Sequence, residues 1–136
     1  MSIKVSSADT HFSRCIRLAA EWKCERCEAW GNSPERSGGV KLECCHIFGR
    51  RDAATRWDAL NCLSMCHTCH RDTTENPADF IRWIEDRWPG RIEILREKRR
   101  YIVKNNPATR KEVAKHYLDE YKRMERTGKR DLISWI

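Results

Sequence analysis

Two Cys-x-x-Cys pairs, Cys24–Cys27 and Cys66–Cys69, stand 38 residues apart in a chain of 136. Such a turn presents two thiolates at the bite zinc prefers, and two turns complete a closed tetrahedral site. The spacing predicts one structural zinc ion on Cys24, Cys27, Cys66 and Cys69. Three further residues fall in register with the pairs. An apolar segment ends at His46, a second starts at Asn61, and His70 follows the last cysteine directly. A neutral imidazole accepts a proton near pH 7, so His46 at a strand end is a candidate general base.

These residues need elements to hold them. Val40 to His46 and Leu60 to Met65 read as two short strands, and residues 66–73 as a metal-binding turn entering a helix. Upstream, Ser7 or Asp9 caps a first helix whose Phe12, Ile16, Ala19 and Ala20 share one face. Gly31 to Gly39 reads as a flexible loop. Downstream, Asn76-Pro77 starts a helix with Phe80, Ile81, Ile84 and Trp88 as its stripe. A third helix is expected over residues 91–104 with Ile92, Leu95 and Ile102 inward. Asn106-Pro107 opens a fourth, with Val113, Tyr117, Tyr121 and Met124 on one face and Gly128 as its stop. The apolar tail ending in Leu132, Ile133, Trp135 and Ile136 is expected to dock. The organisation is therefore α+β: residues 1–90 form the zinc-stabilised unit, and residues 91–136 a helical extension packed on or flanking it.

The formal net charge is +7. That suits a polyanionic partner and equally a solvated surface. Most of the excess lies between Arg91 and Arg126, where it is interleaved with acids, so the helical face alone decides nothing. No segment is long and apolar enough to span a bilayer, and the N-terminus lacks a signal-peptide pattern. A cytoplasmic protein is expected. Eight cysteines in a reducing compartment point to metal ligation rather than disulfides. Cys15, Cys44 and Cys62 read as small core residues, and His67 as exposed and incidental.

The order of knuckle, strand ending in His46, loop, Asn61, knuckle and His70 resembles the HNH nuclease family. Its phage-type members, including a recombination endonuclease, are the most similar. The likeness rests on Trp22-x-Cys24-x-x-Cys27, His46-Ile47-Phe48-Gly49-Arg50-Arg51, Thr55-Arg56-Trp57-Asp58 and Asn76-Pro77, and covers about Asp9 to Trp88. It implies a ββα-metal core and a DNA endonuclease. His46 would be the base, Asn61 the brace of the loop around it, and His70 a ligand of one catalytic divalent ion, magnesium, manganese or another. Phosphodiester hydrolysis needs an activated water and a cation to offset charge on the phosphate. Arg50, Arg51 and Arg56 are placed to contact flanking phosphates. Many family members carry Asp, Glu or His just before the base as a further ligand. Here Cys45 stands there, a poor ligand for magnesium, so Cys45 is either a soft ligand or a small filler. The alternative is a non-catalytic zinc-stabilised DNA-binding or assembly module. The sequence does not fix the oligomeric state; a homodimer is compatible with it.

Overall fold

Helix α1 (Ser7–Ala19) is capped by Ser6, one residue before the expected Ser7, and Asp9 falls at its N3 position. The backbone N–H and hydroxyl of Ser6 both donate to the Asp9 carboxylate, at 2.8 and 3.1 Å. This closes the first turn as a capping box. The computed structural model describes residues 4–136. Its remaining elements are β1 (Leu42–His46), the single turn α2 (Ala53–Arg56), β2 (Cys62–Cys66), α3 (His67–Glu75), α4 (Pro77–Arg87), α5 (Arg91–Lys98) and α6 (Pro107–Thr127). A 3-10 turn, Ala59–Asn61, leads into β2. Among the described residues the architecture is a small α+β fold with six helices and one two-stranded sheet.

The strands pair antiparallel, with His46 opposite Cys62, Cys44 opposite Ser64 and Leu42 opposite Cys66. Alternation along a strand sends neighbouring side chains to opposite faces. Cys44, His46 and Cys62 turn to α1: Phe12 lies 6.3 Å from the His46 ring, and Cys62 joins the core that α1 builds. Cys45, Leu63 and Met65 turn the other way, into a second core with Phe80, Ile84 and Ile92. Helix α3 enters directly from β2, with Cys66 as its N-cap, and packs across both strands. The sheet thus separates two apolar clusters. His46 emerges beside one of them and His70, on α3, beside the other.

Helices α1 and α6 make the larger core. Ala8, Phe12, Cys15 and Ile16 meet Val113, Tyr117, Tyr121 and Met124, all buried. The Cys15 thiol donates to the Tyr117 carbonyl at 3.1 Å. Asn106 caps α6 by accepting from the Thr109 amide at 2.8 Å, and Gly128 ends it at φ 74°, where a side chain would be strained. The C-terminal helix is therefore one wall of the α1 core. The tail docks as expected. Ser134 Oγ accepts from the Ala59 amide at 3.1 Å, the Trp135 amide donates to the Tyr117 hydroxyl at 3.0 Å, and the Trp135 ring meets Trp57 edge-on.

Two sequence expectations fail here for identifiable reasons. Helix α5 stops at Lys98, and Ile102 is 94% exposed. One turn beyond Leu95 stand Lys98 and Arg99, which reach Asp58 and Asp52 at 2.5 and 2.9 Å, so no apolar position continues the stripe. Residues 31–39 are also held, not loose. Isolated bridges pair Gly31 with Val40 and Ser33 with Arg36, and Asn32 Oδ1 accepts from the Gly39 amide at 2.8 Å. A Cβ on Gly39 would lie 2.6 Å from the Trp30 carbonyl, so only glycine fits.

Candidate metal centre and histidine cleft

The four predicted zinc ligands converge. The sulfurs of Cys24, Cys27, Cys66 and Cys69 all lie within 4.8 Å of one another, and Cys27 and Cys66 are 3.8 Å apart. A tetrahedron with zinc–sulfur bonds of about 2.3 Å has edges of about 3.8 Å. Each knuckle turns an amide onto its first sulfur: Cys27 N–H to Cys24 and Cys69 N–H to Cys66, both at 3.5 Å. Burial raises the Cys24 thiol, and backbone donors from Cys27, Cys66 and Arg26 outweigh it, bringing it down to about 7. Cys69 goes the other way, raised by burial and by its sulfur neighbours. Thiol ligands bind a metal as thiolates and release their protons on binding. The residues present suit structural zinc. The first knuckle is tied to the sheet: Glu25 accepts the Ser64 amide through its side chain at 2.7 Å and donates its own to the Ser64 carbonyl at 2.8 Å.

His46 and His70 line one cleft of about 520 Å³ together with Asp9, Phe12, Arg17, Cys44 and Arg50. His46 Nε2 lies 3.0 Å from the Arg56 carbonyl. A carbonyl only accepts, so Nε2 carries the hydrogen and Nδ1 keeps its lone pair. Burial drives the His46 pKa down, the Arg56 carbonyl partly restores it, and nearby Arg50 lowers it again, to about 4. The ring is neutral at pH 7 and able to take a proton.

Asn61 is fully buried and clips the loop that follows His46. Its Oδ1 accepts from the Phe48 amide at 2.9 Å; its Nδ2 donates to the Phe48 and Thr55 carbonyls at 2.9 and 3.0 Å. Its carbonyl accepts from Ile47 at 2.7 Å. The asparagine fixes where the chain runs after the histidine. It leaves no side-chain hydrogen for chemistry.

Arg56 is not placed for the phosphate contact expected of it. It is 3% exposed, and its guanidinium grips Asp9 at 2.9 and 2.6 Å and donates to the Lys4 carbonyl at 3.1 Å. The Trp57 indole N–H completes the same carboxylate at 3.0 Å. A buried guanidinium keeps its charge only when paired, so the pair with α1 outcompetes any phosphate. Its carbonyl, not its charge, serves His46. Arg50 lines the cleft and Arg51 is exposed, as a phosphate contact requires.

The Asp9–Arg56 pair carries a prediction. Asp9→Ala leaves a buried, unpaired guanidinium and should cost about 3–5 kcal/mol, read by urea unfolding. Burial raises the Asp9 carboxyl, and Arg56 and Ser6 outweigh it, so its folded pKa lies below 3.8. A depressed carboxylate stabilises above its unfolded value and loses that contribution as pH falls through the folded one. Acid unfolding below about pH 4 should therefore lose less stability in Asp9→Asn than in the parent protein. Equal acid-induced losses would place the carboxylate in solvent.

His70 sits at the first turn of α3, and its Nδ1 lies 2.9 Å from Glu43 Oε1. Burial pushes Glu43 up, but hydrogen bonds from His70 and His67 lower it overall, so it is an ionised acceptor. Nδ1 of a neutral His70 then donates and Nε2 keeps a lone pair, the orientation typical of metal-binding histidines backed by a carboxylate. Taken alone, the sequence gives Glu43 no role. A carboxylate three residues before the strand-end base, and so on the opposite face of the strand, was the available signal. His67 is 68% exposed and reaches Glu43 only at 3.4 Å.

Cys45 is 1% exposed and packed beneath α3, with its sulfur 3.7 Å from Thr73 Oγ1. Burial raises its thiol to about 11, so it offers no thiolate at neutral pH. The cysteine on the His46 face of β1 is Cys44.

Compared with known proteins, the chain matches no family model, no curated protein and no solved structure. Among the described residues, no helix is long and apolar enough to cross a membrane.

Proposed function

We propose that this protein is a metal-dependent endonuclease of the HNH type that hydrolyses phosphodiester bonds in DNA. The observation that carries the reading is one histidine pair on one cleft, each ring fixed by a different partner. His46 is locked by the Arg56 carbonyl with Nδ1 left basic, and His70 is locked by Glu43 with Nε2 left as a ligand. A water held at His46 would give its proton to Nδ1, at the end of a strand whose exit Asn61 clamps. His70, with Glu43 behind it, would hold a divalent ion, magnesium or manganese. Bound there, the ion offsets negative charge on the phosphate and the leaving oxygen. The chain's own cations, Arg17 and Arg50, line the same cleft and suit a polyanionic strand. The zinc tetrad welds the first knuckle to the β2–α3 junction and so sets the angle between the two histidines' elements.

One observation favours a second reading, a zinc-stabilised DNA-binding or assembly module that does not cut. Among the described residues, His70 belongs to no group of three or more metal-ligating side chains. Supercoiled plasmid incubated with the purified protein and magnesium or manganese separates the two. Nicking that requires the added ion supports the nuclease. Binding without nicking across both ions supports the module.

On either reading Arg50 and Arg51 meet phosphates. Replacing both by Ala should weaken binding to every duplex sequence alike and reduce the slope of log affinity against log salt by about 1 to 2. An unchanged slope assigns both to the solvated surface.

A further inference from the structure

The face of the sheet turned to α1 carries a second set of metal-ligating atoms. The sulfurs of Cys44 and Cys62 and one ring nitrogen of His46 all lie within 4.8 Å of one another. Cys62 stands opposite His46 in the register, and Cys44 lies two residues before it on the same face. The set is fixed by the strand pairing and not by chance contact of mobile side chains. Cys62 is buried, while Cys44 and His46 line the open cleft. An ion would have an entry path and an open fourth position toward solvent. Ser64, opposite Cys44, is also fully buried on this face, and its hydroxyl has no hydrogen-bond partner. Two thiols, an imidazole and an orphaned hydroxyl are an odd filling for a plain apolar core.

We infer that Cys44, His46 and Cys62 form a second metal site for one thiophilic divalent ion, such as zinc or cadmium, whose occupation silences His46. Ligand atoms around tetrahedral zinc lie about 3.4–3.8 Å apart, so the present cluster needs to contract by about 1.4 Å at most. Binding releases one proton to solvent from each thiol. Soft sulfur ligands select zinc or cadmium and reject magnesium, so the site discriminates against the ion that the cleft would use for cleavage. Because Nε2 is committed to the Arg56 carbonyl, the ring's remaining lone pair is the one a metal takes. That pair is also the base. The silencing rests on the proposed role of His46; the site itself does not.

Cadmium titration of the metal-stripped, refolded full chain, followed by thiolate-to-metal absorption and elemental analysis, tests the site without DNA. Two cadmium ions per chain are expected for the parent protein and one for Cys44→Ser, a half-exposed position where the fold should survive. His46→Ala should also drop to one or bind the second ion at least tenfold more weakly. A single ion in the parent protein, or two in Cys44→Ser, overturns the site. For the regulatory half, zinc beyond one equivalent should slow manganese-driven nicking at least tenfold in the parent and leave Cys44→Ser unaffected. Two bound ions with unchanged nicking overturn the silencing while leaving the site intact. Two bound ions in a chain that never nicks sink the nuclease reading and the silencing with it, and leave the site standing.

Discussion

His46→Ala should lower metal-dependent plasmid nicking about a hundredfold to ten-thousandfold, the usual loss on removing a general base. The fold should survive. The ring is edge-packed against Phe12 and makes one hydrogen bond, to the Arg56 carbonyl. Losing that bond leaves a carbonyl beside an open cleft, a cost of about 1 kcal/mol. DNA affinity and the zinc of the four-cysteine site should be unchanged, because no knuckle cysteine depends on the ring. His46→Gln serves as the companion, since it can keep a donor toward the Arg56 carbonyl without offering a base. Nicking by either variant at the parent rate would move the base elsewhere. A parallel loss of DNA binding would mean that His46 positions the strand instead.

Removing zinc should be the largest effect on stability. Structural zinc on four thiolates contributes about 10–16 kcal/mol of binding free energy, against about 5–15 kcal/mol for the net stability of a domain. Cys24→Ser or Cys66→Ser, or chelation of the parent protein, should therefore unfold at least the first knuckle and the β2–α3 junction. Cys66 is the critical position: it is the last residue of β2, the N-cap of α3 and a ligand at once. Circular dichroism should report lost helix, and elemental analysis should fall by one zinc per chain. A melting temperature unchanged by metal removal would rule out the tetrad as a zinc site. Cys15→Ala is the control, a buried cysteine outside both metal-ligating groups.

The sequence exposed those parts of the architecture that depend on short spacings. Cys-x-x-Cys fixes a bite, strand alternation separates Cys45 from His46, and Asn-Pro starts α4 and α6, so all three were readable in advance. Features set by contacts between distant positions were hidden. Arg56 looked like one of a run of loop cations. Only its partner Asp9, 47 residues away, makes it an interior residue. Glu43 needed a histidine 27 residues on to gain meaning. The α5 stripe seemed to run on to Ile102 because periodicity ignores the aspartates that draw Lys98 and Arg99 aside. Cys44 and Cys62 looked like core filler one at a time and show their common chemistry only once the strands are paired.

The pairing of α1 with α6 has a kinetic consequence. The Cys15–Tyr117 hydrogen bond joins residues 102 apart in sequence, whereas the metal knuckles and the hairpin close loops less than half as long. Closing a longer loop costs more chain entropy, and non-local contacts form late. Ion capture by the tetrad should precede docking of the terminal helices in refolding. The cleft wall contributed by α1, with Asp9 and Arg17, is then the last part of the site to assemble. Stopped-flow refolding should show zinc-dependent hairpin formation as a fast phase and burial of Trp57, in the α1–α6 core, as a slower one.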